Sequence, residues 1–330
     1  MENSIVIGLA GVIASAAPIV IAAIGETLTE KSGMLNLSVN GIILLSAMGG
    51  FAATYKTSSL LAGYLTGMAI GALIGLILVF CTITLRQSQV AVGLVLAFLC
   101  RDLSYFLGND FMGVSASVIR SHGIPFLKDI PIIGKLFFSH TLMVYISLAM
   151  IVIAMIWLKR TRLGLILRSV GEHPEAAYAR GIDVNKVRYI YTVIGSALVG
   201  LAGPIYSLGL KPGWNGSMTG LDGIGWIVLA ITIFGGWNPI RVALGAYLFE
   251  FLRWLGLVLQ TSLTSVPSQV LQVAPFPLMI LTLLIVNIKN TEWFDTMIYT
   301  LPAPLYKFFS SKGKKQNAAP SSLGIPFRNV

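Results

Sequence analysis

Charge is what this chain has least of. Of its 330 residues only 11% are charged while 55% are hydrophobic, and a soluble domain of this size carries about 25% charged residues. That shortfall excludes an ordinary solvated globular surface. Cysteine is scarce as well: Cys81 and Cys100 lie in or beside apolar runs. They show no metal-ligand spacing and no disulfide framework, and read as small buried hydrophobes. The chain has no Gly-x-x-x-x-Gly-Lys-(Ser/Thr) run, so it cannot hold ATP on a Walker loop of its own. It has no His-Glu-x-x-His, and its three histidines, His122, His140 and His173, lack ligand spacing. No Ser-His-Asp constellation can be nominated. The expectation is a chain that is not an enzyme and binds no cofactor or metal itself. Energy would come from a partner or an ion gradient. The start, Met1-Glu2-Asn3, offers no basic n-region, so residues 4–24 read as a retained span and not a signal peptide.

What is abundant is apolar sequence in runs of about 20 residues, each long enough to cross a hydrocarbon core about 30 Å thick. The expected fold is all-α, a polytopic transmembrane helical bundle of about nine spans, within a range of eight to ten. The spans are predicted at 4–24, 37–54, 60–80, 90–107, 140–158, 189–210, 220–236, 240–260 and 270–288. Two regions blur the count. Residues 25–41 and 211–236 mix Gly, Asn and charge with apolar residues, and read either as surface loops or as interrupted, re-entrant segments that border a substrate path. Glycines at four-residue spacing, Gly67, Gly71 and Gly75, mark a face for close helix packing.

The net charge of +10 is concentrated, with seven Lys or Arg in 159–188 and six in 289–330, together 13 of the 23. That distribution is the positive-inside pattern of two cytoplasmic segments. No aromatic residues interleave with the basic ones as base stacking would need, so nucleic acid is not an expected partner. Alternation then puts the N-terminus outside and the C-terminus in the cytoplasm. Residues 1–300 form the membrane domain, and 301–330, with its Pro, Ser and Lys, reads as a disordered basic tail against the anionic inner leaflet.

Within the basic loop 159–188, Pro174 suits a first helical position and Glu175 complements the helix dipole. Ala176, Ala177 and Ala179 favour helix, Arg180 ends it, Gly181 can turn left-handed, and Asp183 can cap the next helix. The spelling is a helix of about two turns, a glycine hinge and a new helix.

Glu175-Ala176-Ala177-x-x-x-Gly181 resembles the Glu-Ala-Ala-x-x-x-Gly loop of ABC-importer permeases, although Tyr189-Ile-Tyr-Thr follows in place of the Ile-x-Leu-Pro element. Gly25-Glu26-Thr-Leu-Thr-Glu30-Lys-Ser-Gly33-Met-Leu-Asn36-Leu and the run through Asn40 resemble the branched-chain amino acid, ribose and nucleoside permeases, most closely the nucleoside branch. Asn40 stands where an acidic residue or Gly is common. Gly220-Leu-Asp222-Gly-Ile-Gly225 and Gly235-Gly-Trp-Asn238-Pro239 resemble the later signature of that group. The resemblance implies a multi-pass protein of a prokaryotic inner (plasma) membrane, importing a small polar solute by alternating access. Its implied partners are a cytoplasmic ABC ATPase that hydrolyses the ATP, a second homologous permease subunit in a heterodimer, and an external solute-binding protein. Nucleosides stand ahead of simple sugars, with amino acids last. Glu175, Ala176, Ala177, Arg180 and Gly181 would couple to the ATPase, while Asn36, Ser38, Asn40 and Asp222 are candidates for the substrate path.

Charges inside spans include Arg101 and Asp102 in one, and Glu250 and Arg253 on one face of another. Ionisable groups at this depth face the bundle. They serve either as internal ion pairs or as a polar lining or proton relay. In a proton-driven secondary transporter, Glu250 or Asp102 would be the carrier; a channel-like subunit is the third reading.

Overall fold

The computed structural model describes residues 2–114, 130, 133–262, 277, 281 and 319–327. Its helices are α1 (Glu2–Lys31), α2 (Val39–Thr57), α3 (Leu60–Val79), α4 (Gln89–Leu107), α5 (Ile133–Phe137) and α6 (Leu142–Arg160). They continue as α7 (Arg162–Glu172), α8 (Pro174–Ala179), α9 (Val184–Ile205), α10 (Ile224–Phe234) and α11 (Pro239–Ser262). There is no strand among the described residues, and the chain is a polytopic helical bundle. Among the described residues six helices are long and apolar enough to cross a membrane: α1, α3 with its π-helical extension to Thr84, α4, α6, α9 extended to Leu210, and α11. The expected span 270–288 lies outside the described residues, apart from the isolated positions 277 and 281.

Two boundaries differ from the sequence expectation. The first helix does not end at 24 but runs to Lys31, so only 32–38 of the expected irregular segment 25–41 is irregular. Leu35 and Leu37 are half-buried and the other five are buried, Ser32, Met34, Asn36 and Ser38 completely so. Their backbone is satisfied by side chains: Leu35 N donates to Gln89 Oε1 at 2.8 Å and Ser38 N to Asn36 Oδ1 at 3.1 Å. This is irregular backbone tolerated because protein surrounds it. The expected span 220–236 is the 11-residue α10, about 16 Å long and so about half the hydrocarbon thickness. Gly223, with φ +94°, keeps the helix from starting sooner.

Glycines set the core. The predicted stripe Gly67, Gly71 and Gly75 faces α9, and a Cβ on Gly71 would lie 2.8 Å from Gly200 Cα. Gly25 of α1 meets α9 in the same way, 2.8 Å from Leu198 Cβ. Helices whose backbones touch this closely associate through packing in an apolar medium. In α9, 67% of the most apolar window is buried, against 22% in α6, so α9 is the central helix and α6 is peripheral.

Candidate functional site

Three polar assemblies interrupt this apolar bundle. The first joins α2, α4 and the turn before α10. Asn40, at the start of α2, donates from Nδ2 to Asp222 Oδ1 at 2.7 Å. Its Oδ1 accepts from Gly223 N at 3.0 Å and Gly225 N at 3.1 Å. The N-cap of α10 is Gly223, which has no side chain, so Asn40 satisfies the orphan donors of that helix from 183 residues away. Tyr105 of α4 donates to Asp222 Oδ2 at 3.3 Å. On the same helix Arg101 pairs with Asp102 at 2.9 Å and lies 5.2 Å from the Phe98 ring centroid. Asp222 and Asp102 are exposed, whereas Asn40 is buried beneath them. The face therefore offers carboxylates, a phenol and a guanidinium among exposed Val95, Phe98, Leu99 and Leu103. Charges at such depth belong against protein or water and not lipid.

The second assembly lies deeper. Asn36 donates from Nδ2 to Glu26 Oε2 at 3.1 Å and accepts from Ser38 Oγ at 2.5 Å. Trp237 donates its indole N–H to Glu30 Oε2. Glu26, Glu30, Asn36 and Ser38 are completely buried. Asn36 and Ser38 thus brace the irregular turn instead of lining an open path, a correction to their expected placement. Oε1 of Glu26 and of Glu30 has no partner among the described residues.

The third is a cleft of about 260 Å³ lined by α1 residues Gly8 to Ser15, by Tyr206, Lys211 and Ile224, and by Glu250, Arg253 and Trp254 of α11. Glu250 accepts from Arg253 Nη1 at 3.2 Å. The pair is an ion pair that also lines a cavity. Lys211 donates to Thr219 O at 2.9 Å, and burial, together with nearby Arg253, lowers its pKa from the usual lysine value.

The opposite end of α1 carries the loop 159–188. Thr161 caps α7, accepting from Gly164 N at 3.0 Å, and α7 is a helix the sequence reading left out. Pro174 opens α8, Gly181 follows it at φ +81° in open space, and Asp183 caps α9 by accepting from Lys186 N at 3.0 Å. Glu175, Ala176, Arg180 and Gly181 are exposed, while Ala177 is buried against Val170 and Val184. The expected coupling residues thus lie on α8 and the turn that ends it, with Ala177 anchored and the rest presented outward.

The site residues that sequence reasoning missed are Tyr105, Glu26, Glu30, Trp237, Tyr206 and Lys211. A lone Tyr or Lys near an apolar run carries no local signal. The doubled Glu at 26 and 30 was visible as charge inside an apolar context.

Comparison with known proteins agrees with these features. A family model described as branched-chain amino acid transport system, permease component, matches residues 8–288. The chain is 35% identical to a putative glucose ABC transporter permease protein of Haloferax volcanii over 247 residues, covering 74% of each chain. It is 31% identical to a nucleoside ABC transporter permease protein of Lactococcus lactis over 294 residues, covering 85% of this chain and 92% of the relative. It is 32% identical to a guanosine ABC transporter permease protein of Bacillus subtilis over 284 residues, covering 81% and 88%. No solved structure matches.

Proposed function

The chain belongs to the family of branched-chain amino acid transport system permease components, and from that premise we propose that it is the membrane subunit of an ATP-driven nucleoside importer. The observation that carries the reading is α8. A six-residue helix stands between α7 and α9 with Glu175, Ala176, Arg180 and Gly181 turned outward. Such a knob suits a cleft in a cytoplasmic ATPase, and among the described helices it packs on α7 and α9. ATP binding would close two ATPase domains, move α8 and change which side the cavity between two permease subunits faces.

The face made by Asn40, Asp222, Tyr105 and Arg101 is the proposed translocation surface, opposed by a second permease subunit. Its donors and acceptors match the hydroxyls and base edges of a nucleoside. Support for nucleosides over sugars rests on the names of the Lactococcus and Bacillus relatives; the Haloferax relative is named for glucose. In this mechanism the ATPase end of the bundle is cytoplasmic, the N-terminus is outside, and an external binding protein delivers the solute. Vesicles holding the complete transporter should take up labelled nucleoside only with ATP, and excess glucose should not compete. Competition by glucose with none by nucleosides would transfer the assignment to sugars.

A further inference from the structure

Part of the stretch expected to be a disordered tail is docked. Residues 319–327 lie against the end of the bundle that carries α8 and touch elements more than 130 residues away in sequence. Ser322 N donates to Gly171 O at 2.9 Å, and its buried hydroxyl donates to the same carbonyl at 2.7 Å. Ser321 Oγ donates to Glu172 Oε2 at 3.0 Å. Gly324 N donates to Gly33 O at 3.1 Å, in the turn after α1. Phe327 packs on the small cluster of Val170, Ala177 and Val184, with its ring centroid 5.6 Å from that of Tyr178.

Arg188, in the second turn of α9, ties these contacts together. Its side chain is buried, at 1% exposure. Its guanidinium donates to Ser32 O at 3.2 Å, to Ile325 O at 3.0 Å and to Ser322 Oγ at 3.3 Å. Two of these three acceptors come from the tail. A buried guanidinium is tolerated only when its donors are used, so the tail completes the site that holds Arg188.

α8 needs such support. It is about 9 Å long, and a helix of so few residues is not stable by itself. Only Pro174 and Ala177 of it are buried, and the unfilled left-handed Gly181 adjoins its end. Phe327 and Ser322 pack behind it, against the same stretch of α7 and the same turns of α9 that α8 contacts.

We infer that residues 319–327 are a strap that positions α8 on α7 and α9, so that a push on α8 moves the bundle instead of bending the loop. This rests on the importer reading above, and Ser322, Phe327 and Arg188 are its positioning residues.

The test uses the complete transporter in proteoliposomes, with the full-length permease, a chain ending at Ala318, and Phe327→Ala. Uptake and ATP hydrolysis are read together, with and without a peptide of residues 319–330 at the ATPase side. The strap predicts that solute moved per ATP falls about tenfold in the shortened chain, the scale of a typical coupling energy. Hydrolysis persists, Phe327→Ala shows a smaller fall, and the peptide restores the ratio. An unchanged ratio in the shortened chain overturns the strap. So does a parallel loss of uptake and hydrolysis that the peptide does not reverse. Uptake by the full-length chain that does not need ATP overturns the importer reading itself, and is read on a different sample.

Discussion

Asn40 shows how much one side chain does here. It uses its amide to cap a helix that lacks its own cap and to hold the Asp222 carboxylate. Asn40→Ala removes all three bonds and leaves two backbone donors in a buried setting, which should cost about 1–3 kcal/mol. A lower unfolding temperature in detergent, together with weakened uptake, is expected. Asn40→Asp should be worse for transport, because it sets a carboxylate against Asp222 where the amide now donates. Restored uptake in Asn40→Asp combined with Asp222→Asn would identify the contact as the cause. At the Glu250–Arg253 pair, Arg253→Leu leaves a buried carboxylate without its partner and should destabilise more than Glu250→Gln and Arg253→Leu combined; thermal unfolding of the single and double variants checks the order. Their place in an irregular segment and the family resemblance made Asn36, Ser38, Asn40 and Asp222 candidates in the sequence reading. It could not tell bracing from lining, since that depends on Glu26 lying over Asn36 and on α10 beginning beside Asn40.

At the scale of elements, α8 is where local spelling was most legible. Pro174, the alanines, Gly181 and Asp183 each favour one backbone state, and the structure adopts all of them. Gly181→Pro forces φ to about −65° where φ is +81°. It should abolish uptake while membrane insertion persists, measured by transport and by membrane fractionation. Glu175→Arg should do the same by reversing an exposed charge on the docking face. Gly71→Leu should instead abolish assembly of the bundle, because its side chain would enter the backbone of α9; loss of a folded species by size-exclusion chromatography reads this. The short α10 was illegible: Leu221 to Phe234 is continuously apolar apart from Asp222, Gly and Thr, and only the left-handed Gly223 and the distant Asn40 cap fix its start. Helix α7 was missed for a related reason. Its basic residues gave it the look of a solvated loop, while its buried Leu167 and Val170 face the bundle and the tail.

For the whole molecule, composition and run length made the helical membrane bundle legible, because transfer into lipid leaves little choice of backbone structure. Contacts between distant segments were not legible. The strap on Arg188, the Asn40 cap and the Trp237–Glu30 bond each join residues more than 130 positions apart, and no local pattern announces such pairs. The bundle has a central α9 that runs from α8 at one end to the cleft at Tyr206 and Lys211 at the other.

The measurement that tests this most directly is purification of the tagged chain from its native membranes in mild detergent, with mass spectrometry of what accompanies it. The expected result is a Walker-motif ATPase and a second apolar permease, with the ATPase alone lost from the Glu175→Arg preparation. A chain that purifies by itself, and moves solute in proteoliposomes under a proton gradient without ATP, would contradict it.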